Sequence, residues 1–396
     1  MNATAAATSA HAPVPGDLRI AVVVDWLCQT GGAELVIREI LATFPKAEFF
    51  ALFDVMRPEE RVRITDRPAH TTLMQEIPGI GEHYRSLLPL MPAAIRSLDV
   101  SGFDVVISSH HAVAKGVRMH PGQVHVCYCH APTRYLWERR EEYLADHGIT
   151  GIKAALARPL LGRLRRWDLA TASSVSQFVV NSAYVADRVR RHYGRESVVI
   201  HPPVDVDFFT PDGPHEGDLY VTASRQVPYK RIDHIVDAFR LLPDRRLVVI
   251  GDGPHHARVV GAAAGAANIT VLGEASRESL RDWFRRARAF VFAADEDFGI
   301  VPLEAQACGT PVVALGKGGA LETVRGGDGP DRTGLFFADD AAKTIADAVR
   351  RFEALADPPT AAACRANAER FTAARFREHL LATVARAVVG GMRTQG

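Results

Sequence analysis

The stretch Ala289–Ala314, AFVFAADEDFGIVPLEAQACGTPVVA, decides how the chain is read. It opens on a continuous apolar run, Ala289–Ala294, as strands do when both faces of their sheet are covered. The acidic loop DEDFG ends the run, and Pro302 stands where a helix can open, because a first-turn residue needs no N–H donor. Gly309 closes that helix, and Pro311–Ala314 is the next strand. Strand, loop, helix and strand in succession form the repeating unit of a parallel α/β sheet.

In that arrangement Glu296 lies on the loop at the strand's carboxyl end, and Glu304 falls in the first turn of the helix. The amides around Gly299, Ile300 and Val301 would meet an anion such as a diphosphate. Both carboxylates would accept hydrogen bonds from hydroxyl groups. A sugar nucleotide offers this combination, with hydroxyls at both ends and phosphates between. Taken singly, Glu304 would serve the helix dipole, and Asp295, Glu296 and Asp297 would be solvated loop acids. Their conjunction with Phe298–Gly299 and Pro302 points to a ligand.

Outward from this stretch the same alternation appears twice. The first half offers strands at Leu18–Val24, Phe49–Phe53, Asp104–Ser108, Val124–Cys129, Phe178–Asn181 and Val198–Ile200. The second offers Leu219–Ala223, Leu247–Ile250, Ile269–Leu272, Ala289–Ala293 and Pro311–Ala314. Between the halves, HPPVDVDFFTPDGPHEGD denies itself helix and central strand through its prolines, and is the linker candidate. A helix from Arg231 lines up Ile232, Ile235, Val236, Phe239 and Leu242 on one face. A long helical pattern, ANAERFTAARFREHLLATVARAV, would pack back onto the first domain. The expected division is a tail over 1–17, an N-terminal domain over 18–204 completed by 375–396, and a C-terminal domain over 205–374.

Arg225 and Lys230 bracket the loop that follows the strand LYVTA. Ligands of open α/β sheets bind at the carboxyl ends of strands. Arg supplies a planar fork and Lys a mobile point charge for phosphate oxygens, so this pair would take the place of a metal. The alternative is two solvated surface cations. In the first half, Gly31 and Gly32 stand where the strand RIAVVV gives way to a helix from Ala33, and would let a ligand approach backbone amides. The three-glycine dinucleotide fingerprint is missing, which lowers a dehydrogenase reading.

The 396 residues exceed what one core organises. Lys plus Arg (47) nearly cancel Asp plus Glu (46), which removes the global electrostatic case for nucleic acid. Five cysteines without paired spacing fit a reducing cytosol and no zinc site. No apolar run reaches the roughly 20 residues that span a bilayer, so a cytoplasmic protein, at most peripheral on the membrane, is expected. His110, His111, His120, His125 and His130 crowd one stretch, but their spacing fits no ligand motif and no metal is expected. His130, after the strand VHVCYC, would point into a cleft. Lys115 and Arg134 would contact an anionic acceptor, or else be ordinary surface cations. The segment 77–95, IPGIGEHYRSLLPLMPAAI, and the basic GIKAALARPLLGRLRRW would either lie at an anionic membrane surface or pack in the N-terminal domain.

EDFGIVPLEAQACGTPVV, SRQVPYKR, GDGP and GGAE together resemble glycosyltransferase family 4, retaining enzymes of the GT-B fold. The likeness runs from about Leu18 to the last helix. CHAPTRYLWE and SSHHAVAKG look closest to mannosyltransferases of O-antigen and exopolysaccharide assembly. The resemblance implies two Rossmann-like domains with a nucleotide-sugar cleft between them, and a C-terminal helix crossing back to the first. It also implies that Glu296 binds the transferred hexose, Glu304 the ribose, and Arg225 and Lys230 the diphosphate. Gly31 and Gly32 would approach the donor from the other domain, and His130 holds the place of the family's active-site histidine. The loop reads ASRQ where glycine before Arg is commoner.

The implied reaction is retaining and metal-independent, with no cofactor. A hexose would pass from a nucleotide-diphosphate sugar, with GDP-mannose preferred and a UDP-sugar as runner-up, to a saccharide acceptor carried on a polyprenyl diphosphate. No carboxylate of the first half stands out as a nucleophile, which favours a front-face route with the leaving phosphate as base. A sugar-nucleotide 2-epimerase and an inactive nucleotide-sugar-binding subunit are the rival readings.

Overall fold

The computed structural model describes residues 18–28, 31–138, 151–213 and 215–393; the tail expected over 1–17 lies outside them. The chain divides into two compact units. One runs to Asn181 and adds Val185–Ile200 and the segment from Phe376 on; the other holds Ser182–Tyr184 and His201–Arg375.

The first unit is built on a six-stranded parallel sheet. Its strands are β1 (Ile20–Val24), β2 (Glu48–Ala51), β3 (Val105–His110), β4 (Val124–Cys129), β5 (Gln177–Val180) and β6 (Ser197–Val199), in the order β2-β1-β3-β4-β5-β6. Alternate side chains take opposite faces. Val22, Val24, Ile107, Val126 and Tyr128 pack with Val36, Ile37 and Ile40 of helix α1 (Gly32–Thr43). Ala21, Val23 and Val106 meet Met91 and Ile95, together with Leu161 and Leu164 of α2 (Gly151–Thr171). Helix α3 (Ala183–Tyr193) covers Phe178 and Val180 through Val185 and Val189.

The apolar segment 77–95 gives Ile80, Tyr84, Leu88, Met91 and Ile95 to this core, while Leu90 stays 56% exposed. Packing therefore accounts for most of its hydrophobicity. Among the described residues no helix is long and apolar enough to cross a membrane.

The second unit repeats the plan. Its strands are β7 (Glu216–Ala223), β8 (Arg246–Ile250), β9 (Ile269–Gly273), β10 (Ala287–Phe292), β11 (Val312–Leu315) and β12 (Gly334–Phe337), all parallel in the order β12-β11-β10-β7-β8-β9. That is the Rossmann order, with the chain reversing direction across the sheet between β7 and β10. The edge strand β12, GLFF, was not among the expected strands. It is short, follows a glycine-rich loop, and is recognisable only by its register against β11. Ile235, Val236, Phe239 and Leu242, from α4 (Ile232–Arg240) and its end, bury the expected stripe against Tyr220 and Val291. The linker stretch is ordered in this unit: Phe209 is buried against Phe284 and Val204 donates its N–H to the Phe371 carbonyl.

Helix α5 (Ala373–Arg393) is the chain's last, and it lies almost wholly in the first unit. Phe376, Leu380, Val384 and Val388, spaced on one helical face, join the core of β1, β3 and β4. Arg377 pairs with the buried Glu39 of α1 at 3.0 Å. The two Rossmann-like units and this returning helix are the architecture of the GT-B fold.

Candidate active site

In the second unit the carboxyl ends of β7 and β10 lie side by side, at the place where the strand order reverses and such sheets bind ligands. β7 delivers Ser224, Arg225 and Gln226; β10 delivers Asp295–Gly299. Gln226 is fully buried and fastens the first loop to its neighbour after β8. Its N–H donates to the Asp252 carbonyl at 2.8 Å, its Nε2 to the Gly251 carbonyl at 2.6 Å, and its own carbonyl accepts from the His255 N–H. Arg225, beside this anchor, is exposed, and its guanidinium has no partner among the described residues. A fixed backbone beneath an unengaged guanidinium is a preorganised place for an anion.

Lys230 ends a short turn at Pro228–Lys230 and reaches across to form an ion pair with Glu296, both side chains being only 15% exposed. The next residue, Arg231, is left-handed at φ 55°, which swings the chain into α4. Glu296 is fixed from the other side. Its carbonyl accepts from the Gly319 N–H at 2.8 Å, and a Cβ at Gly319 would overlap the Phe298 backbone. The GKGG loop at 316–319 therefore presses on DEDFG, a constraint the sequence reading did not single out.

Gly299 takes φ 90°, the left-handed region open to glycine, and starts the helix Ile300–Ala307 without a side-chain cap. The first-turn amides at Ile300 and Val301 are thereby left for another acceptor. Glu304 sits in the second turn, not the first as expected, because Pro302 is the third helical residue rather than the first. The Glu304 carboxyl is half-buried and makes no hydrogen bond to another described residue. Burial pushes its pKa up to about 7, against the pull of Arg277. This unit thus brings Lys230 and Glu296 together and places Arg225, Gly299, Ile300, Val301 and Glu304 around the same carboxyl edge.

In the first unit the order changes direction between β1 and β3, so the corresponding place is where Asp25, Trp26, His110 and His111 leave those strands. Gly31 is the extended N-cap of α1 and Gly32 its first residue. His130, just past β4, holds its ring through a 2.8 Å hydrogen bond between Nε2 and the Ser109 hydroxyl, while its carbonyl accepts from Asn181 at 2.9 Å. Burial, then the charge of His111, bring its pKa down to about 3, so His130 acts as a neutral imidazole.

Asp25, which the sequence reading passed over, is the centre of this edge. It is buried, and its oxygens accept from the backbone N–H groups of His111, Ala112, Val113 and Ala114 at 2.6–3.0 Å and from His111 Nδ1 at 2.9 Å. Burial alone would raise its pKa; the charge and hydrogen bond of His111 hold it far below the usual carboxylate range. Conversely, burial works against the His111 charge, but Asp25 and then Glu34 raise its pKa above the ordinary imidazole value.

Lys115 is not an acceptor-facing cation. It is fully buried, and its ammonium donates to the Asp168 carboxylate and carbonyl at 2.6 Å and to the Thr171 hydroxyl at 2.9 Å. Asp168 also accepts from Trp137 Nε1 and from the Tyr193 hydroxyl. The turn after β3 carries Lys115 inward, a direction that charge alone does not reveal. Arg134 begins the short helix Arg134–Trp137 and is half-buried. His125 is a core histidine bonded to Ser108 at 2.8 Å. Among the described residues no cluster of His, Cys, Asp and Glu could hold a metal ion.

Residues 30–208 match the family model Glycosyltransferase Family 4, and residues 205–371 match Glycosyl transferases group 1. Curated relatives include proteins named D-inositol 3-phosphate glycosyltransferase. The one from Mycolicibacterium paratuberculosis is 33% identical over 213 residues, 48% of this chain and 47% of the relative. The one from Streptomyces avermitilis is 31% identical over 227 residues, 50% of this chain and 47% of the relative. The chain spans about half the length of the curated relatives it matches. Among solved structures, Anabaena HepE in complex with UDP and glucose aligns with a TM-score of 0.68 at 18% identity, over 93% of this chain and 99% of that one. Sucrose-phosphate synthase from Thermosynechococcus elongatus aligns with a TM-score of 0.63 at 17% identity, over 96% and 100%.

Proposed function

Because the chain carries a glycosyltransferase family 4 domain followed by a group 1 domain, we propose that it is a retaining, metal-independent hexosyltransferase acting on a nucleotide-diphosphate sugar. The observation that carries this reading is the edge of the second sheet. There the unengaged Arg225 guanidinium and the Lys230–Glu296 pair lie on loops that follow the paired strands β7 and β10, and the helix after β10 begins without a side-chain cap at Ile300 and Val301. Arg225, Lys230 and the amides hold the diphosphate and stabilise the charge that develops on it as the glycosidic bond breaks, the role of preorganised donors at a leaving group. Glu296 orients the hexose hydroxyls and Glu304 the ribose. The leaving phosphate takes the acceptor proton on the same face.

GDP-mannose as donor and a polyprenyl-linked saccharide as acceptor, handled by a cytoplasmic enzyme at the membrane face during surface-polysaccharide assembly, is the fuller form of the reading. It rests on CHAPTRYLWE and SSHHAVAKG. A UDP-sugar is the second reading, favoured by the UDP and glucose bound in the HepE structure of like fold. Incubation of the chain with GDP-mannose and with UDP-glucose, first alone and then with candidate saccharide acceptors, separates them. Slow donor hydrolysis followed by transfer with retained anomeric configuration supports the proposal. An inverted product contradicts the mechanism, and interconversion of the sugar without an acceptor favours an epimerase.

A further inference from the structure

The switch point of the first sheet holds a group that the proposed reaction leaves unused. Asp25 from the end of β1 and His111 from the end of β3 meet there through Nδ1 and Oδ2 at 2.9 Å. Asp25 is buried and saturated by four backbone N–H groups, so it can neither move nor turn to another partner. The His111 ring is fixed as well, its edge set against Trp26 with centroids 4.8 Å apart. With Nδ1 on the carboxylate, Nε2–H is on the far side of the ring. It has no partner among the described residues, and the side chain is 37% exposed.

The ionisable groups around His111 are Asp25 from β1, Glu34 from the first turn of α1, and the His110 and His130 rings. The two carboxylates favour the imidazolium. His110 is fully buried, and its pKa falls to about 3, first through burial and then through Lys115, so it adds no positive charge at neutral pH. His130, with its centroid 6.4 Å away, is likewise neutral. One outward-facing N–H donor on a rigid mount, its charged form favoured by Asp25 and Glu34, where a parallel sheet receives its ligand, is suited to a phosphate oxygen.

We propose that His111 is a phosphate-binding residue of this edge, with Asp25 as the positioning residue that presents Nε2–H outward. The inference rests on the glycosyltransferase reading for the source of the phosphate, which is either the donor diphosphate or a phosphorylated acceptor. It does not rest on that reading for the contact itself.

The test uses the full chain, its His111→Gln variant and a charge-restoring His111→Arg variant, with inorganic pyrophosphate, UDP, GDP and farnesyl diphosphate as probes. Imidazole nitrogen NMR of the unaltered chain follows His111 directly, assigned as the one signal missing from both His111→Gln and His111→Arg, so that the contact itself is read in the unaltered fold. The expected result is a shift of the His111 Nε2 signal on adding pyrophosphate, with about ten- to a hundredfold weaker binding in His111→Gln and partial recovery in His111→Arg. The same pattern with UDP or GDP assigns the donor as the source; with farnesyl diphosphate alone it assigns the acceptor. An unmoved His111 signal with every probe, or equal affinities for the chain and His111→Gln, overturns the proposal. If UDP and GDP bind through Arg225 while His111 is indifferent, the enzymatic reading stands and this inference falls. If neither nucleotide binds anywhere, the enzymatic reading falls and the pyrophosphate arm alone decides for or against His111.

Discussion

Lys230 is ion-paired with Glu296 across the carboxyl ends of β7 and β10, joining the two loops that flank the switch point of the second sheet. Each partner is largely shielded from water, and neither loop is loose: Gln226 anchors the first and Gly319 the second. A pair so placed keeps a cation and a carboxylate ready on one rim. A sugar diphosphate needs the first for its phosphates and the second for its hydroxyls.

Replacing Arg225 by Ala removes an exposed guanidinium of that rim that has no partner among the described residues. Affinity for UDP or GDP is expected to fall by about ten- to a hundredfold, the worth of a charge-assisted hydrogen bond, while the melting temperature stays unchanged. Calorimetric titration of both chains measures the first and a thermal melt the second.

Glu304 titrates near neutrality because burial disfavours its charge. Its folded pKa lies above the unfolded value, so the folded chain binds the extra proton, and stability falls as pH rises from the ordinary Glu value through about 7. Glu304→Gln has no charge to bury. It is expected to be more stable than the parent at pH 8, by on the order of 1 kcal/mol after solvent screening, and equal to it below pH 4. Nucleotide affinity should move the other way: as the carboxylate becomes the better acceptor for ribose hydroxyls, the parent gains affinity relative to the variant as pH rises through 7.

Lys115→Met leaves Asp168 as a buried charge with Trp137, Tyr193 and, at 3.8 Å, the buried His110 ring beside it. Breaking one side of a buried pair costs roughly 3–5 kcal/mol, so the first unit should unfold at markedly lower temperature or denaturant. The double change Lys115→Met with Asp168→Leu removes the orphaned charge and should regain part of the loss. Denaturant melts of the three chains test this.

Under the metal-independent reading, EDTA in excess over any contaminating divalent ion is expected to leave the rate of sugar transfer unchanged. A loss that Mg²⁺ or Mn²⁺ restores would transfer the diphosphate's neutralisation from Arg225 and Lys230 to a metal.

How far the sequence could be read depends on what each residue's partner was. β10, its loop and the following helix were legible because apolar run, acidic loop, proline and glycine each carry a local rule, and local rules survive without the tertiary context. The stripe from Ile232 to Leu242 was legible for the same reason. β12 was not, since GLFF becomes a strand only by pairing with β11. The turn of Glu304 shifted because Pro302 is tolerated at the third helical position as well as the first. Lys115 read as a surface cation because its partner, Asp168, is far along the chain and is met only through the fold. Asp25 was invisible for a like reason: its five hydrogen-bond partners all come from residues 111–114.

The most direct test is a crystal structure of the chain with bound UDP or GDP. The diphosphate should lie at the carboxyl edge of β7 and β10, with phosphate oxygens on Arg225, Lys230 and the Ile300 and Val301 amides, and the ribose against Glu304. A nucleotide found away from that edge, or one whose phosphates avoid Arg225 and the helix amides, would contradict the account.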